Sequence, residues 1–456
     1  MSDHEKSTSR GSEKWTIGTL TYSSGGLAAL FFWLLWGDFA WSLKERSVPA
    51  VVQILLKNFH ASDMLTGLLI GSLPQALTMV LGPIISYRSD RHRGPWGRRI
   101  PFLLIPTPIA AGSMMGLAFC PWFGRILHEF WGSSSPGLYP CILIFFGGFW
   151  TLFEFASIIA NSVFGGLIND VVPAPMLGRF YGLFRTFSLL AGILFNYSIF
   201  GKAETHFSAI FLGIGALYGL GFTLMCYKVK EGRYNPPPPA PSGAVGFLPA
   251  ARTYFRECFT HSYYWWVFTA MSLPWMAFAC ANVFNVFFAK SLSMSMDTYG
   301  KCLALTYTIS LGLSYFIGAA ADRFHPLRAG LVVIALYGIS NLLGGLFSTT
   351  PSVFAFALVS HGVLSGAWMT VTASLGQRLF PASRFAQFAS ALGLVMSLGT
   401  MLLSPTLGKI LDLSGHNYRL TYLTGAGFAL LALLTGLQVQ RMFHQLGGPT
   451  AYRAPE

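Results

Sequence analysis

Twelve apolar runs dominate this chain, at 24–57, 64–87, 100–122, 139–165, 180–200, 206–227, 263–289, 299–320, 328–347, 351–376, 385–407 and 420–440. Each reaches the length of about 20 residues that a helix needs to cross the hydrocarbon of a bilayer. Inside a bilayer every backbone polar group must be paired, which leaves only helices or a closed barrel, and the period-two alternation of a barrel is absent. Of the 456 residues 53% are hydrophobic and 10% charged, where a soluble globular protein carries about 25% charged residues. A soluble interior could not hide so much apolar sequence. The prediction is an all-α membrane protein with twelve transmembrane helices. Pro49, Pro74, Pro106, Pro274 and Pro405 lie inside the runs, as neighbouring helices in a membrane allow. Residues 1–16 lack the pattern of a removable signal peptide, so the first apolar helix is expected to target the chain.

The net charge of +13 admits three explanations: nucleic acid, acidic lipid or membrane topology. Position decides between them. With twelve spans, the termini, the even-to-odd loops and the central segment carry 20 basic residues and the opposite loops six. The positive-inside rule then puts both termini in the cytoplasm, in a multi-pass protein of the plasma or inner membrane. Charge spread over seven segments forms no patch for a nucleic acid. The six cysteines never occur as C-x-x-C, so neither a zinc ribbon nor a redox pair is encoded, and most, which sit in apolar runs, are expected to be reduced packing residues.

The proline run Pro236–Pro239 and its surroundings cannot span a membrane, and 229–260 reads as an extended cytoplasmic linker. It separates a tail (1–23) and a six-helix half (24–228) from a second half (261–440) and a C-terminal tail (441–456). The halves echo each other: Gly82 to Asp90-Arg91 after helix 2 against Gly318 to Asp322-Arg323 after helix 8, and Gly178-Arg179-Phe180 against Ser383-Arg384-Phe385. Two related bundles side by side is the plan of a transporter that rocks around a central site. One pair of halves is self-sufficient, so a monomer is expected.

The loop Gly82-Pro83-Ile84-Ile85-Ser86-Tyr87-Arg88-Ser89-Asp90-Arg91-His92-Arg93-Gly94-Pro95-Trp96-Gly97-Arg98-Arg99 resembles the signature loop of the major facilitator superfamily. Asp90-Arg91 followed by Trp96-Gly97-Arg98-Arg99-Ile100-Pro101-Phe102 resembles the glycoside–cation symporters and plant sucrose transporters. On this reading Gly82, Asp90, Arg91, Gly97, Arg98 and Arg99, with Asp322 and Arg323, form a cytoplasmic latch that pairs charges with helix ends across the two halves. Trp36-Gly37-Asp38-Phe39-Ala40 and Phe184-Arg185-Thr186-Phe187 look like the melibiose-type symporters. That resemblance implies that Asp38 and a helix 4 carboxylate, here Glu154, hold sugar hydroxyls. The acids that sodium-dependent members carry on helix 2 correspond to Thr78 and Gly82, so the coupling ion is expected to be a proton.

Charged residues within a span cost at least ~2.5–3.5 kcal/mol each on insertion scales, which makes each a functional candidate. Helix 1 carries Asp38, Trp41 and Glu45 on one stripe, with Lys44 and Arg46 off it. Internal pairing, with Lys44 or Arg46 neutralising Glu45 or a neighbour's acid, is the competing explanation. Helix 4 aligns Trp150, Glu154, Ser157 and Asn161, an aromatic face beside a carboxylate, with Arg185 on helix 5 to fix it or pair with it. The C-terminal half offers Trp275, Asn282 and Asn285 on helix 7, and His361, Ser365, Trp368 and Thr372 on helix 10. Helices 1, 4, 7 and 10 line the cavity in the family this chain resembles, so the four tryptophans are candidate stacking platforms for a sugar. Asp38, Glu45 and Glu154 are the candidate proton carriers.

No H-E-x-x-H, G-x-S-x-G or Walker loop is present, and no cluster has metal-ligand spacing. The expectation is a transporter and not an enzyme, without metal or cofactor, whose partners are the bilayer and a small-molecule substrate. Sugar or glycoside:proton symport by alternating access leads. An organic-anion carrier that uses Arg46 and Arg185, and a membrane sensor that keeps the fold without transport, are the alternatives.

Overall fold

A computed structural model describes residues 14–234 and 247–455. Twelve long helices follow in order: α1 (Ser24–Asn58), α2 (Asp63–Arg91), α3 (Ile100–Ser134), α4 (Leu138–Val171), α5 (Ala174–Ser198), α6 (Ala203–Lys228), α7 (Ser262–Ser291), α8 (Met296–Phe324), α9 (Pro326–Phe347), α10 (Pro351–Leu379), α11 (Phe385–Leu413) and α12 (Arg419–Gln445). Among the described residues, eleven are long and apolar enough to cross a membrane. The other, α5, has 25 residues but carries Arg179 and Arg185 within them. Two short strands, Trp15–Ile17 and Leu20–Tyr22, form a hairpin before α1. The segment read as an extended linker contains an amphipathic helix, Phe247–Phe259. The proline run that prompted the extended reading lies outside the described residues.

The two halves repeat one packing plan. In the first, α1 packs on α5 and α6, α3 on α4 and α6, and α2 on α4; in the second, α7 packs on α11 and α12, α9 on α10 and α12, and α8 on α10. Each pair in one half has its counterpart six helices later. The sequence echoes are therefore the trace of a structural repeat.

The halves join through α2 against α11 and α5 against α8, on the face away from the termini. Glycines make the approach close: a Cβ on Gly67 would lie 2.3 Å from the Ser404 carbonyl oxygen, and one on Gly408 would lie 2.3 Å from that of Asp63. Where α2 meets α11 it makes a π-helical turn over Gly67–Ser72, and Ser72 Oγ donates to the Met401 carbonyl at 2.5 Å. At the start of α2, two of the N–H groups that a helix leaves unpaired are satisfied from the other half. Asp412 Oδ1 accepts from Asp63 N (2.8 Å) and Oδ2 from Met64 N (3.0 Å). The buried Asp63 carboxylate in turn accepts from His416 Nδ1 (2.6 Å) and Tyr418 Oη (2.9 Å). Lys290 bonds Glu204 and Asn58 across the same seam, both at 2.6 Å. A single apolar core runs through this face, from Leu55 and Phe59 to Phe284, Phe287 and Tyr418.

Nearer the termini the same helices carry Gly182, Gly312, Gly318 and Gly393, and a Cβ on any of these would meet nothing within 4 Å. The molecule is closed on one face and parted on the other. Asp412 acts as a helix cap supplied across the interface, and caps are worth about 0.5–2 kcal/mol. Asp412→Ala is therefore expected to shift the equilibrium several-fold away from this closed arrangement, read as a longer α2–α11 distance between spin labels on the closed face. An unchanged distance distribution would show that the cap does not hold the face shut.

Candidate functional site

Between the halves lies a cavity of about 540 Å³, within the range of small-molecule sites. Glu45, Arg46 and Arg185 line it from the first half; Asn282, Asn285, Thr306, Tyr307, Ser310, His361 and Ser365 line it from the second. Gln53 closes its inner end, donating from Nε2 to the Asn282 carbonyl at 3.1 Å where α7 breaks. The polar residues of the second half are held in place. His361 bonds Tyr337 Oη through Nδ1 (2.9 Å) and Asn282 Oδ1 through Nε2 (3.0 Å), and Asn285 accepts from Tyr422 Oη at 3.0 Å.

Of the predicted substrate residues, Arg185, Asn282, Asn285 and His361 reach this cavity. Asp38, Trp41, Trp150, Glu154, Asn161, Trp275 and Trp368 do not line it. Trp150 is fully buried, donates from Nε1 to the Leu69 carbonyl (2.8 Å) and stacks on Phe153, so it joins α4 to α2 as a packing residue. Trp41 donates to Asn161 at 2.9 Å and holds α1 on α4. Trp368 is buried, edge-on to Phe278 and Trp275. Asp38 is buried and does not reach the cavity; Ser42 Oγ donates to its Oδ1 (3.0 Å), and among the described residues its Oδ2 has no hydrogen-bond partner. Helical periodicity aligns Asp38, Trp41 and Glu45 on α1 and Trp150, Glu154 and Asn161 on α4, but Glu45 alone of these lines the cavity, while Trp41 and Trp150 bond neighbouring helices of the same half.

The charges of α1 divide between wall and interior. Lys44 is wholly buried and pairs with Glu45 at 2.7 Å. Its ammonium also donates to Ser157 (3.0 Å) and lies over the rings of Tyr218 (4.9 Å) and Phe153 (5.3 Å). Internal pairing, the competing explanation for Lys44, is therefore what the structure shows. Arg46 instead faces the cavity, donates to Ser188 Oγ at 2.9 Å and stacks on Tyr307 at 4.9 Å. Arg185 donates to Thr370 Oγ1 at 3.0 Å across the cavity, and the ion pair with Glu154 is not formed. Sequence reasoning missed Gln53, Thr306, Tyr307 and Ser310, whose neutral side chains give no signal until α1 and α8 are placed against each other.

The signature loop forms a network on the parted face. Arg98 makes a two-pronged contact with Asp170 (2.5 and 2.8 Å), and Arg99 bridges Asp170 (3.1 Å) and Asp90 (2.6 Å). Glu231 accepts from the backbone N–H groups of Arg98, Arg99 and Ile100 at 2.7–2.9 Å and so caps α3. Gly97 makes the turn at φ +96°. Arg91 stacks on Tyr87, and Arg323 lies over Phe324. The contacts of Asp90, Arg98 and Arg99 are made within the first half and to Glu231 and Tyr234 at the start of the central segment, and among the described residues none reaches the second half. The expected bridge between halves is thus not made here, and Asp170 and Glu231, which the loop motif did not indicate, hold the arginines.

The sequence profile of the family described as MFS/sugar transport protein matches residues 51–380. The chain belongs to this family. Its fold matches that of a bacterial homologue of the human lysosomal transporter Spinster in an inward-facing conformation, at 16% identity and TM-score 0.61, covering 94% of this chain and 98% of that one. The nucleoside transporter NupG aligns at 12% identity and TM-score 0.66 (90% and 99% covered). The xylose transporter XylE from E. coli, inward open, aligns at 14% and 0.60 (89% and 96% covered). At these identities the likeness shows the fold alone. No curated protein sequence gives a significant match. Family and fold are those of membrane transporters of small molecules, and this member of the major facilitator superfamily is closed on one face and parted on the other.

Removing one partner of a buried ion pair typically costs about 3–5 kcal/mol, whereas replacing both is often neutral. Glu45→Gln alone should lower the unfolding temperature in detergent, and Lys44→Met with Glu45→Gln should restore it. An unaltered melting temperature in Glu45→Gln would show that Lys44 does not depend on this carboxylate.

Proposed function

We propose that this protein is a secondary transporter of a small hydroxylated solute of the sugar or glycoside class, working by alternating access in the cell membrane as a monomer with both termini cytoplasmic. The observation that carries the reading is the central cavity, whose amides and hydroxyls from Gln53, Asn282, Asn285, Thr306, Ser310 and Ser365 face the guanidiniums of Arg46 and Arg185. A polyol both donates and accepts, and such a lining offers both in fixed positions. The tryptophan platforms expected from the sequence are replaced in this role by Tyr307.

One observation favours the organic-anion reading. Among the described residues Arg46 and Arg185 hydrogen-bond only hydroxyls, Ser188 and Thr370, while Glu45 is already paired with Lys44. A carboxylate or phosphate on the solute would find two guanidiniums suited to planar, two-pronged contact.

Coupling to a proton runs, on this proposal, through Glu45. It is the carboxylate that both faces the cavity and holds Lys44, so a proton on Glu45 would free the ammonium to turn toward Glu154, which lies within its electrostatic reach. Glu154 has no hydrogen bond or ion pair among the described residues. Thr78 and Gly82 in place of acids on α2 support independence from sodium.

The test is uptake into proteoliposomes of a panel of neutral mono- and disaccharides and their carboxylate- and phosphate-bearing counterparts, under imposed pH or sodium gradients. Accumulation of a panel member driven by the pH gradient is expected, with Arg185→Gln raising KM about tenfold or more, since hydrogen bonds to charged groups are worth about 1.5–3 kcal/mol. A preference for charged panel members would establish the anion reading in place of neutral sugars. Lys44→Met with Glu45→Gln should exchange solute but not accumulate it. Binding without accumulation in the wild type would overturn transport, and sodium-driven uptake without proton movement would overturn the coupling.

A further inference from the structure

Away from the transport cavity, the amphipathic helix Phe247–Phe259 docks on the second half at the face that carries the termini. Its Cys258 is buried on the inner side, and its Tyr254 and Phe259 pack into the core formed by Tyr264, Phe268 and Phe388. Gln387 Nε2 donates to Glu257 Oε2 at 2.8 Å, and Trp265 Nε1 donates to the Phe259 carbonyl at 2.7 Å. The C-terminal tail closes the edge, with Tyr264 Oη donating to the Pro455 carbonyl at 2.6 Å. These contacts leave a cavity of about 380 Å³, whose polar lining includes Arg256, Glu257, His261, Ser383 and Arg384.

We infer that this cavity binds the phosphate headgroup of an anionic lipid from the leaflet on the side of the termini. Three observations carry the inference. First, the lining holds two arginines and a histidine against one carboxylate, and that carboxylate is engaged by Gln387. Neither Arg256 nor Arg384 has an ion-pair partner among the described residues. Two guanidinium forks with a serine hydroxyl supply the donors that the oxygens of a phosphodiester accept. Second, exposed aromatic residues surround the site: Phe255 is 54% exposed, Trp265 49%, Trp266 40% and Phe385 37%. Aromatic side chains gather at the boundary between headgroups and acyl chains, and their presence here sets the cavity at headgroup depth. Third, α7 and α11 both begin at this cavity, so it opens where the two helices enter the bilayer. Basic pockets between membrane helices on this side are suited to acidic lipids. Water-facing phosphate would explain the arginines but not the aromatic surround.

The test uses the full-length purified protein in detergent, with lipid retention read by native mass spectrometry. Phosphatidylglycerol and phosphatidylcholine are supplied at equal concentration, and inorganic phosphate is added as a competitor in a separate arm. Wild type is expected to retain phosphatidylglycerol at least about tenfold over phosphatidylcholine, with millimolar phosphate leaving that ratio unchanged. Arg256→Gln with Arg384→Gln should remove the preference, and Arg256→Lys with Arg384→Lys should keep part of it. Both arginines are exposed, so neither pair is expected to disturb folding, and an unshifted melting temperature in the absence of lipid verifies this. Equal preference in the Gln pair and the wild type would overturn the assignment. Displacement of lipid by micromolar phosphate would overturn the lipid source and assign the pocket to the free anion.

Discussion

The arrangement of this molecule depends on a backbone approach that only a few residues allow. Helices α2 and α11 come from different halves and touch at Gly67, Gly71 and Gly408, where any side chain would collide with the opposing helix. Once they are that close, Asp412 reaches the free N–H groups of α2, and the buried Asp63 finds His416 and Tyr418. Polar groups that would be costly to bury unpaired are satisfied only while the halves are together. The seam is therefore specific, and its polar part consists of a few hydrogen bonds that water replaces when it opens. A moving part needs that combination, because an interface of apolar area alone would offer no defined registry.

Closing one face fixes what the middle can be. The core that seals the closed face ends at Gln53 and the break in α7, and beyond it the halves diverge to leave the central cavity. Its two walls differ in kind. The second half presents neutral groups locked by hydrogen bonds to Tyr337 and Tyr422. The first presents Arg46 and Arg185, and behind them the fully buried Lys44 paired with Glu45. Glu45 belongs at once to the cavity wall and to the pair with the buried Lys44, which is why the proposed coupling is placed there.

The membrane fold was legible because bilayer thickness sets helix length and the apolar runs follow it. The halves were legible because echoes such as Gly82 to Arg91 and Gly318 to Arg323 survive a structural repeat. The site was only half legible. Helical periodicity identified the stripes on α1 and α4 but not the neighbour each faces; Trp41 and Trp150 proved to join helices within one half, and Asp38 to be buried with its hydrogen bond to Ser42 of its own helix. Intramembrane charge drew attention to Arg185 and Glu45, which the structure places on the cavity wall, since burial of charge needs a reason in any arrangement. Residues without charge, such as Gln53 and Thr306, acquire meaning only from contacts across the halves. The amphipathic linker helix was hidden by the proline run beside it, which set the reading for the whole segment.

The central claim is that solute crosses by alternation of the halves around this cavity, and that the closed face must open in every cycle. A Cβ on Gly201 would lie 3.0 Å from that of Asp297, directly across the seam between α5–α6 and α8. Gly201→Cys with Asp297→Cys therefore places two thiols within reach of a disulfide, or of a short bifunctional thiol reagent, in this conformation. The account predicts that cross-linking this pair abolishes uptake into proteoliposomes and that reduction restores it. Full uptake with the pair cross-linked would contradict it.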